Sequence, residues 1–323
     1  MDSNCVPNFA LARTALKYGL IALKPRVDHG ILVPDYICDV VFDSIHQAGL
    51  NTVTYPVTDT FDPDWDAING ALLKESICAL FVVHYFGQPQ NLDLYRKFCT
   101  ENNIWLIEDN SHGHGGCLNG QLLGTFGDIG FSSPRKILGL PYGAMLYNKP
   151  FNTVKTEKLI KIRPFHLHYY PNLLKIGLSY FPMIKGQLKS WLNHSNDWSN
   201  PLLYMDDQKI DYETDSFSLH RISSTNWSNI AYRRRANWEK WSNFASTNGL
   251  NPIFSSVHPE SCPWAIPVYA NDLEERNKWL IWGSKNAVNV FPWPTLSKEI
   301  INDTGLALER WKRLLCFPLD VEP

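Results

Sequence analysis

Neither sign of charge dominates this sequence: 30 lysines and arginines stand against 32 aspartates and glutamates, a formal net charge of −2 over 323 residues. A protein built to hold nucleic acid carries a basic face, so nucleic acid is excluded as a main partner. No apolar run approaches the roughly 18–20 residues needed to cross a bilayer, and no membrane span is expected. The seven cysteines are an odd number with no C-x-x-C or similar close pair. That spacing excludes the common metal knuckles, and no metal site is expected. No signal peptide is legible at the N-terminus, so reduced thiols in a cytoplasmic protein are the simplest reading. No G-x-G-x-x-G follows an early strand, which argues against a dinucleotide-binding oxidoreductase.

What the chain does have is length for a large core and two domains. It also has 12 tryptophans, an aromatic area suited to core and interface. Apolar periodicity predicts a helix over 8–23, ended by Pro25 and Gly30, and a short strand over 31–33. A helix over 37–48, a strand over 51–57 and an acidic loop over 59–66 follow. Residues 79–84, ALFVVH, read as a fully buried strand of the parallel-sheet type. His84 at its end either lines a site or is a loop histidine satisfied by the backbone. A helix over 91–102 and a strand over 104–109 come next. This alternation predicts a three-layer α/β/α domain, with ligands outside the carboxyl ends of the strands. A long helix over 226–247, a strand over 264–270, a helix over 271–285 and a strand over 288–291 predict a smaller C-terminal α/β unit. Arg233, Arg234 and Arg235 on the long helix are either a solvated face or an anion site.

The chemistry concentrates in residues 105–146. The buried run Ile104-Trp105-Leu106-Ile107 delivers Glu108 and Asp109, then His112. A Gly-rich passage and a second apolar piece, Ile129-Gly130-Phe131, lead to Ser132, Ser133 and Lys136. A lysine hemmed in by apolar groups loses hydration of its charged form, so its amine becomes nucleophilic, as a Schiff base requires. A carboxylate nearby can hold a proton on a pyridine nitrogen and make pyridoxal 5′-phosphate (PLP) an electron sink. The plain alternative is an acid at a loop start and a solvated lysine after a Ser-Pro-Arg turn.

These residues resemble the DegT/DnrJ/EryC1/StrS family of PLP-dependent sugar aminotransferases, of aminotransferase fold type I. The family's EDxAH strand end stands here as Glu108-Asp109-Asn110-Ser111-His112. Its glycines and GD stand as Gly120, Gly124, Gly127 and Asp128, and its FS…K as Phe131-Ser132-Ser133-Pro134-Arg135-Lys136. Val33 to Cys38, His84 to Pro89, Arg234 to Trp238 and Pro292-Trp293-Pro294 resemble further landmarks in the same order.

The resemblance implies a fold-type-I large domain with a mixed, mostly parallel sheet over 1–217 and a small C-terminal α/β domain over 218–323. It implies Lys136 as the lysine that carries PLP and moves the proton, and Asp109 as partner of the pyridine nitrogen. His112 is implied near the cofactor's 3′ oxygen, and Arg13, Thr14 and Ser132 at its phosphate. Ser133 is the alternative serine, because the gap before Lys136 is short. Two positions depart from the family: Ala12 replaces a glycine at the phosphate turn, and Cys38 replaces an aromatic that stacks on the ring. Family members without the lysine dehydrate sugars, so Lys136 argues against that branch.

The implied activity is conversion of a nucleotide-linked keto sugar to an amino sugar, for polysaccharide or glycoconjugate biosynthesis. Glutamate is the expected amino donor, and the assembly a homodimer with the site near its interface. The departures motivate a second reading, a catalytically impaired homologue serving as a binding or assembly protein. The aromatic, basic stretch 165–191 has three readings: a helical pair packed on the large domain, an interface arm, or a membrane-surface patch.

Overall fold

The computed structural model describes residues 5–26, 28–148, 159–161, 211–293, 295–302 and 305–323. The expectations for 165–191 lie outside these residues. Strand β1 (Cys5–Phe9) runs into helix α1 (Ala12–Leu23), so the first part of the expected helix is strand. β2 (Gly30–Pro34), α2 (Asp39–Gln47), β3 (Asn51–Tyr55), α3 (Trp65–Lys74), β4 (Ile77–Val83), α4 (Leu92–Asn102) and β5 (Trp105–Asn110) alternate as the periodicity requires. α3 was not legible beside its acidic loop. Asp64 starts it, accepting the Ala67 amide at 2.9 Å as an N-cap. After a small hairpin, β6 (Cys117–Leu118) and β7 (Gln121–Leu122), come β8 (Ile129–Ser132), the short α5 (Pro134–Leu138) and β9 (Ala144–Asn148).

Seven of these strands form one sheet in the order β1-β9-β8-β5-β4-β2-β3. β3, β2, β4, β5 and β8 are mutually parallel, and β9 and β1 add an antiparallel edge. The sheet is mixed and mostly parallel, as expected. β2 and β4 are buried at every position, which explains their unbroken apolar sequence. Gly130 in β8 marks a close approach: a Cβ there would lie 2.0 Å from the Gly124 carbonyl. A glycine therefore lets the 124–127 loop lie against the strand.

The C-terminal part contains α6 (Ser216–Ser224), α7 (Trp227–Thr247), α8 (Leu273–Lys285), α9 (Lys298–Asn302) and α10 (Leu306–Arg313). Its sheet is antiparallel, in the order β10 (Asn251–Pro252), β11 (Ala265–Tyr269), β13 (Leu314–Pro318), β12 (Phe291–Pro292). Of the strand expected over 288–291 only its last residue is paired. One apolar cluster runs from the large sheet through Trp293, Trp311 and Cys316, so the two sheets share a core. Polar bonds add to this seam. Tyr269 donates to the Asp59 carbonyl at 2.9 Å, and the Trp264 amide to the Phe86 carbonyl at 3.1 Å.

Candidate active site

The carboxyl ends of the parallel strands gather the chemistry-bearing residues. Asp109 is the fifth residue of β5, Lys136 lies in α5 just after β8, and Cys38 caps α2 after β2. These three groups feel one another electrostatically, which places them around one buried space. Burial pushes the Asp109 carboxyl above its ordinary range, against Ser111, Lys136 and His84, which favour the anion. The Ser111 amide donates to Asp109 Oδ1 at 2.7 Å. Burial also lowers the Lys136 amine, opposed by Cys38 and Asp109 and helped by Arg135. A lysine so placed is more readily neutral, and a neutral amine is the nucleophile. Its Nζ lies 4.9 Å from the centre of the Trp264 ring, over the face.

His112 is held as a single tautomer. Its ring stacks against Phe86 at 5.7 Å and Trp264 at 4.6 Å and meets Trp293 edge-on at 5.4 Å. The Phe86 amide donates to Nδ1 at 3.3 Å, so Nε2 carries the hydrogen. Burial and the nearby Lys136 push its pKa well below the histidine range, so it is a neutral donor. Phe86 adopts φ 56°, a left-handed conformation rare for an aromatic residue; its amide meets His112 and its carbonyl accepts the Trp264 amide. Gly87 beside it has φ +87°, and a Cβ there would stand 2.7 Å from the His112 carbonyl.

The two serines differ in their surroundings. Ser132 Oγ lies 2.8 Å from His114 Nδ1 and 3.1 Å from Tyr147 Oη, in a fully buried cluster. Among the described residues the buried Ser133 hydroxyl has no hydrogen-bond partner. A buried orphan hydroxyl is costly unless a ligand uses it, and a phosphate oxygen is a fitting acceptor. Ser132 thus has its hydroxyl already paired, while Ser133 offers an unused one. The opening of α1 lies close by. The Gly143 amide donates to the Ala10 carbonyl at 2.9 Å, and the Arg135 amide to that of Gly143 at 3.4 Å. Leu11, the N-cap of α1, offers no side-chain cap. Thr14 is buried on its first turn, and Arg13 is near enough to favour the Asp39 anion.

Cys38 is half-buried and its thiol is pushed up to about 12, chiefly by burial, so it stays protonated. The Thr295 amide hydrogen-bonds its sulfur, and Thr295 Oγ1 donates to Asp39 Oδ1 at 2.5 Å. The C-terminal part thus seals the opening of α2. His84 does not line the site. It is fully buried against Glu108, with Nε2 2.9 Å from Oε1.

Several contributors were not legible. Trp264 reads as an ordinary strand residue, and Thr295 as part of a Pro-rich turn. Arg234 is buried rather than solvated: its Nε donates to the Pro263 carbonyl at 2.6 Å and its Nη2 to that of Trp264. The helix α7 thereby holds Trp264 against His112. Arg235 donates to the Ser261 carbonyl at 2.7 Å, and Arg233 alone of the run is exposed. Among the described residues no cluster of ligands suits a metal, and no helix is long and apolar enough to cross a membrane.

Residues 9–149 match the family model of the DegT/DnrJ/EryC1/StrS aminotransferase family. The lipopolysaccharide biosynthesis protein RfbH of Salmonella typhimurium is 36% identical over 145 residues, 43% of this chain and 32% of that one. GDP-perosamine synthase of Vibrio cholerae is 39% identical over 116 residues, 36% of this chain and 31% of that one. The matched region thus spans about a third of the length of these curated relatives. The Escherichia coli GDP-4-keto-6-deoxy-D-mannose-3-dehydratase, solved with bound hydrated PLP, superposes with a TM-score of 0.64 at 17% identity. That likeness covers 98% of this chain and 84% of the dehydratase. The fold is therefore the fold-type-I aminotransferase fold well beyond the matched region.

Proposed function

We propose that this protein is a PLP-dependent aminotransferase that converts a nucleotide-linked keto sugar to an amino sugar, with glutamate as donor. The observation that carries the proposal is the placement of Lys136 and Asp109 around one buried space, each shifting the other's charge. The residues fit the cofactor on three counts. Asp109 offers a buried carboxylate for a pyridine nitrogen, Ser133 an unused hydroxyl for a phosphate, and His112 an Nε2–H for a ring oxygen.

When bound, PLP supplies an electron sink for the pair released as a C–H bond breaks. This chain's residues do the rest. Lys136 Nζ, kept from full charging by burial, holds the cofactor and moves the proton as base and acid. Asp109 keeps a proton on the pyridine nitrogen, and Trp264, Trp293 and Phe86 exclude water around His112. Lys136 argues against the dehydrating branch of the family.

We further propose residues 1–217 as the cofactor-binding domain and 218–323 as the small domain. A cytoplasmic homodimer with the site near its interface completes the reading. The protein mixed with PLP should develop a visible band that glutamate shifts to the aminated form, while Lys136→Ala shows no such band. A band that glutamate and other amino acids leave unchanged would favour the impaired homologue, and no band at all would remove the cofactor from the account.

A further inference from the structure

We infer that Arg234 is a positioning residue for the Lys136 amine, acting through Trp264, whose ring it fixes beneath that amine. The inference deepens the proposed function and rests on it for what Lys136 holds. Trp264 stands just before β11, its ring 4.9 Å from Lys136 Nζ and stacked on His112 at 4.6 Å. Arg234 ties the backbone behind that ring with two donors of one planar group. Its Nε donates to the Pro263 carbonyl at 2.6 Å and its Nη2 to the Trp264 carbonyl. On the other side the Trp264 amide donates to the Phe86 carbonyl at 3.1 Å. Both backbone groups of Trp264 are therefore held, one by α7 and one by the residue that also contacts His112.

The same face of α7 reaches the lysine. Ala231 lies three residues before Arg234, one turn along the helix. It packs in one small cluster with Ile137, the residue after Lys136, and with Cys262 and Trp264. One helix thus touches both the neighbour of the amine and the backbone of the ring, and so sets the gap between them. Arg234 is buried, at 7% exposure, so water does not substitute for its donors. The titratable groups acting on Lys136 are Cys38, Asp109 and Arg135, and those acting on Arg234 are Cys262 and Asp320. The two cations have no such neighbour in common, which leaves the ring as their link. His112, the other group against the ring, is neutral.

The test compares wild type with Arg234→Met, which removes both donors, and Arg234→Lys, which keeps the charge and one donor. Arg235→Met is the control: it cuts the neighbouring bond to the Ser261 carbonyl and leaves residues 263 and 264 held. The first readout is the titration of Lys136 in cofactor-free protein with 13Cε-labelled lysine, its signal assigned with Lys136→Ala. Arg234→Met should lower the Lys136 midpoint by about 0.4–1.5 pH units, the range that an aromatic face confers on an ammonium. Arg234→Lys should fall between, and Arg235→Met should stay at the wild-type value. In a Trp264→Leu background Arg234→Met should shift the midpoint no further, because the ring it positions is gone. The second readout is the rate of PLP capture, whose acid limb should follow the Lys136 midpoint in each variant. A midpoint unchanged or raised in Arg234→Met, lowered as much in Arg235→Met, or lowered again without Trp264 overturns the inference. If Arg234→Met does not fold, Arg234→Lys beside Arg235→Met decides it in the same titration. Should wild type take up no PLP, the functional reading falls and the cofactor-free titration alone decides the role of Arg234.

Discussion

His84 Nε2 lies 2.9 Å from Glu108 Oε1, and neither side chain has any exposure to solvent. The Gln90 amide donates to His84 Nδ1 at 3.1 Å, so His84 carries its hydrogen on Nε2 and donates it to the carboxylate. Glu108 also accepts the amides of Gly124, Phe126 and Gly127 at 2.6, 2.7 and 2.9 Å. One carboxylate thus pins the 124–127 loop against β5, one residue before Asp109. Removing it strands four buried donors, so Glu108→Ala should lose about 3–5 kcal/mol in urea unfolding. His84→Leu leaves Glu108 three amides and should cost less, about 1–3 kcal/mol. Equal losses in the two variants would show that the loop does not depend on Glu108.

The serine pair gives a sharper contrast. Ser133→Ala removes a buried hydroxyl without a partner among the described residues, so the cofactor-free protein should be unchanged or slightly more stable. Its PLP affinity should fall about tenfold or more, the scale of a hydrogen bond to a charged oxygen. Ser132→Ala strips His114 and Tyr147 of a shared partner and should destabilise by about 1–3 kcal/mol, with affinity little changed. Denaturant curves and a PLP titration on both variants check this, and the reverse pattern would return the phosphate role to Ser132.

Acidification tests the cluster around His114. Its pKa is lowered to about 3 by burial, so the folded protein holds it neutral while the unfolded chain protonates near 6.5. The unfolded state then binds more protons, and stability declines as pH falls from about 6.5 toward 3. The slope from this one residue is up to about 1.4 kcal/mol per pH unit. Asp109 works in the opposite sense: its raised pKa favours the folded state at low pH, a contribution lost as pH rises through the folded value. His114→Phe should therefore flatten the acid limb of the stability curve, and Asp109→Asn should steepen it. Unfolding midpoints measured from pH 7 to pH 3.5 decide both.

Much of the fold was legible because central strands such as β2 and β4 are buried on both faces, which leaves unbroken apolar runs such as Ile77–Val83. The helices between them carry ordinary stop signals. The antiparallel edge was not legible, because β1 reads as an extension of the helix behind it. The positions of Asp109, Lys136 and His112 follow from a strand end and a local motif, and these were named from the sequence. What surrounds them was not. Trp264, Thr295 and Arg234 reach the site from far along the chain, and no local pattern records that approach. Spacing leaves Ser132 and Ser133 both open as the phosphate serine, and which of the two hydroxyls is already paired is a fact of packing that spacing does not carry.

Trp264 offers the last test, because its ring lies under the Lys136 amine as well as against His112. An ammonium over an aromatic face gains about 0.5–2 kcal/mol that a neutral amine does not. Trp264 therefore raises the Lys136 pKa, against the burial that lowers it. Trp264→Leu keeps an apolar wall and removes the face, so the amine should become neutral at lower pH. The rate of PLP capture depends on the neutral amine, and its acid limb should move to lower pH by about 0.4–1.5 units. The same variant frees one side of His112, so final affinity should fall even as capture at low pH quickens. Stopped-flow absorbance from pH 6 to pH 9 separates the two effects. A limb that stays in place would mean that the ring packs His112 and leaves the charge of Lys136 untouched.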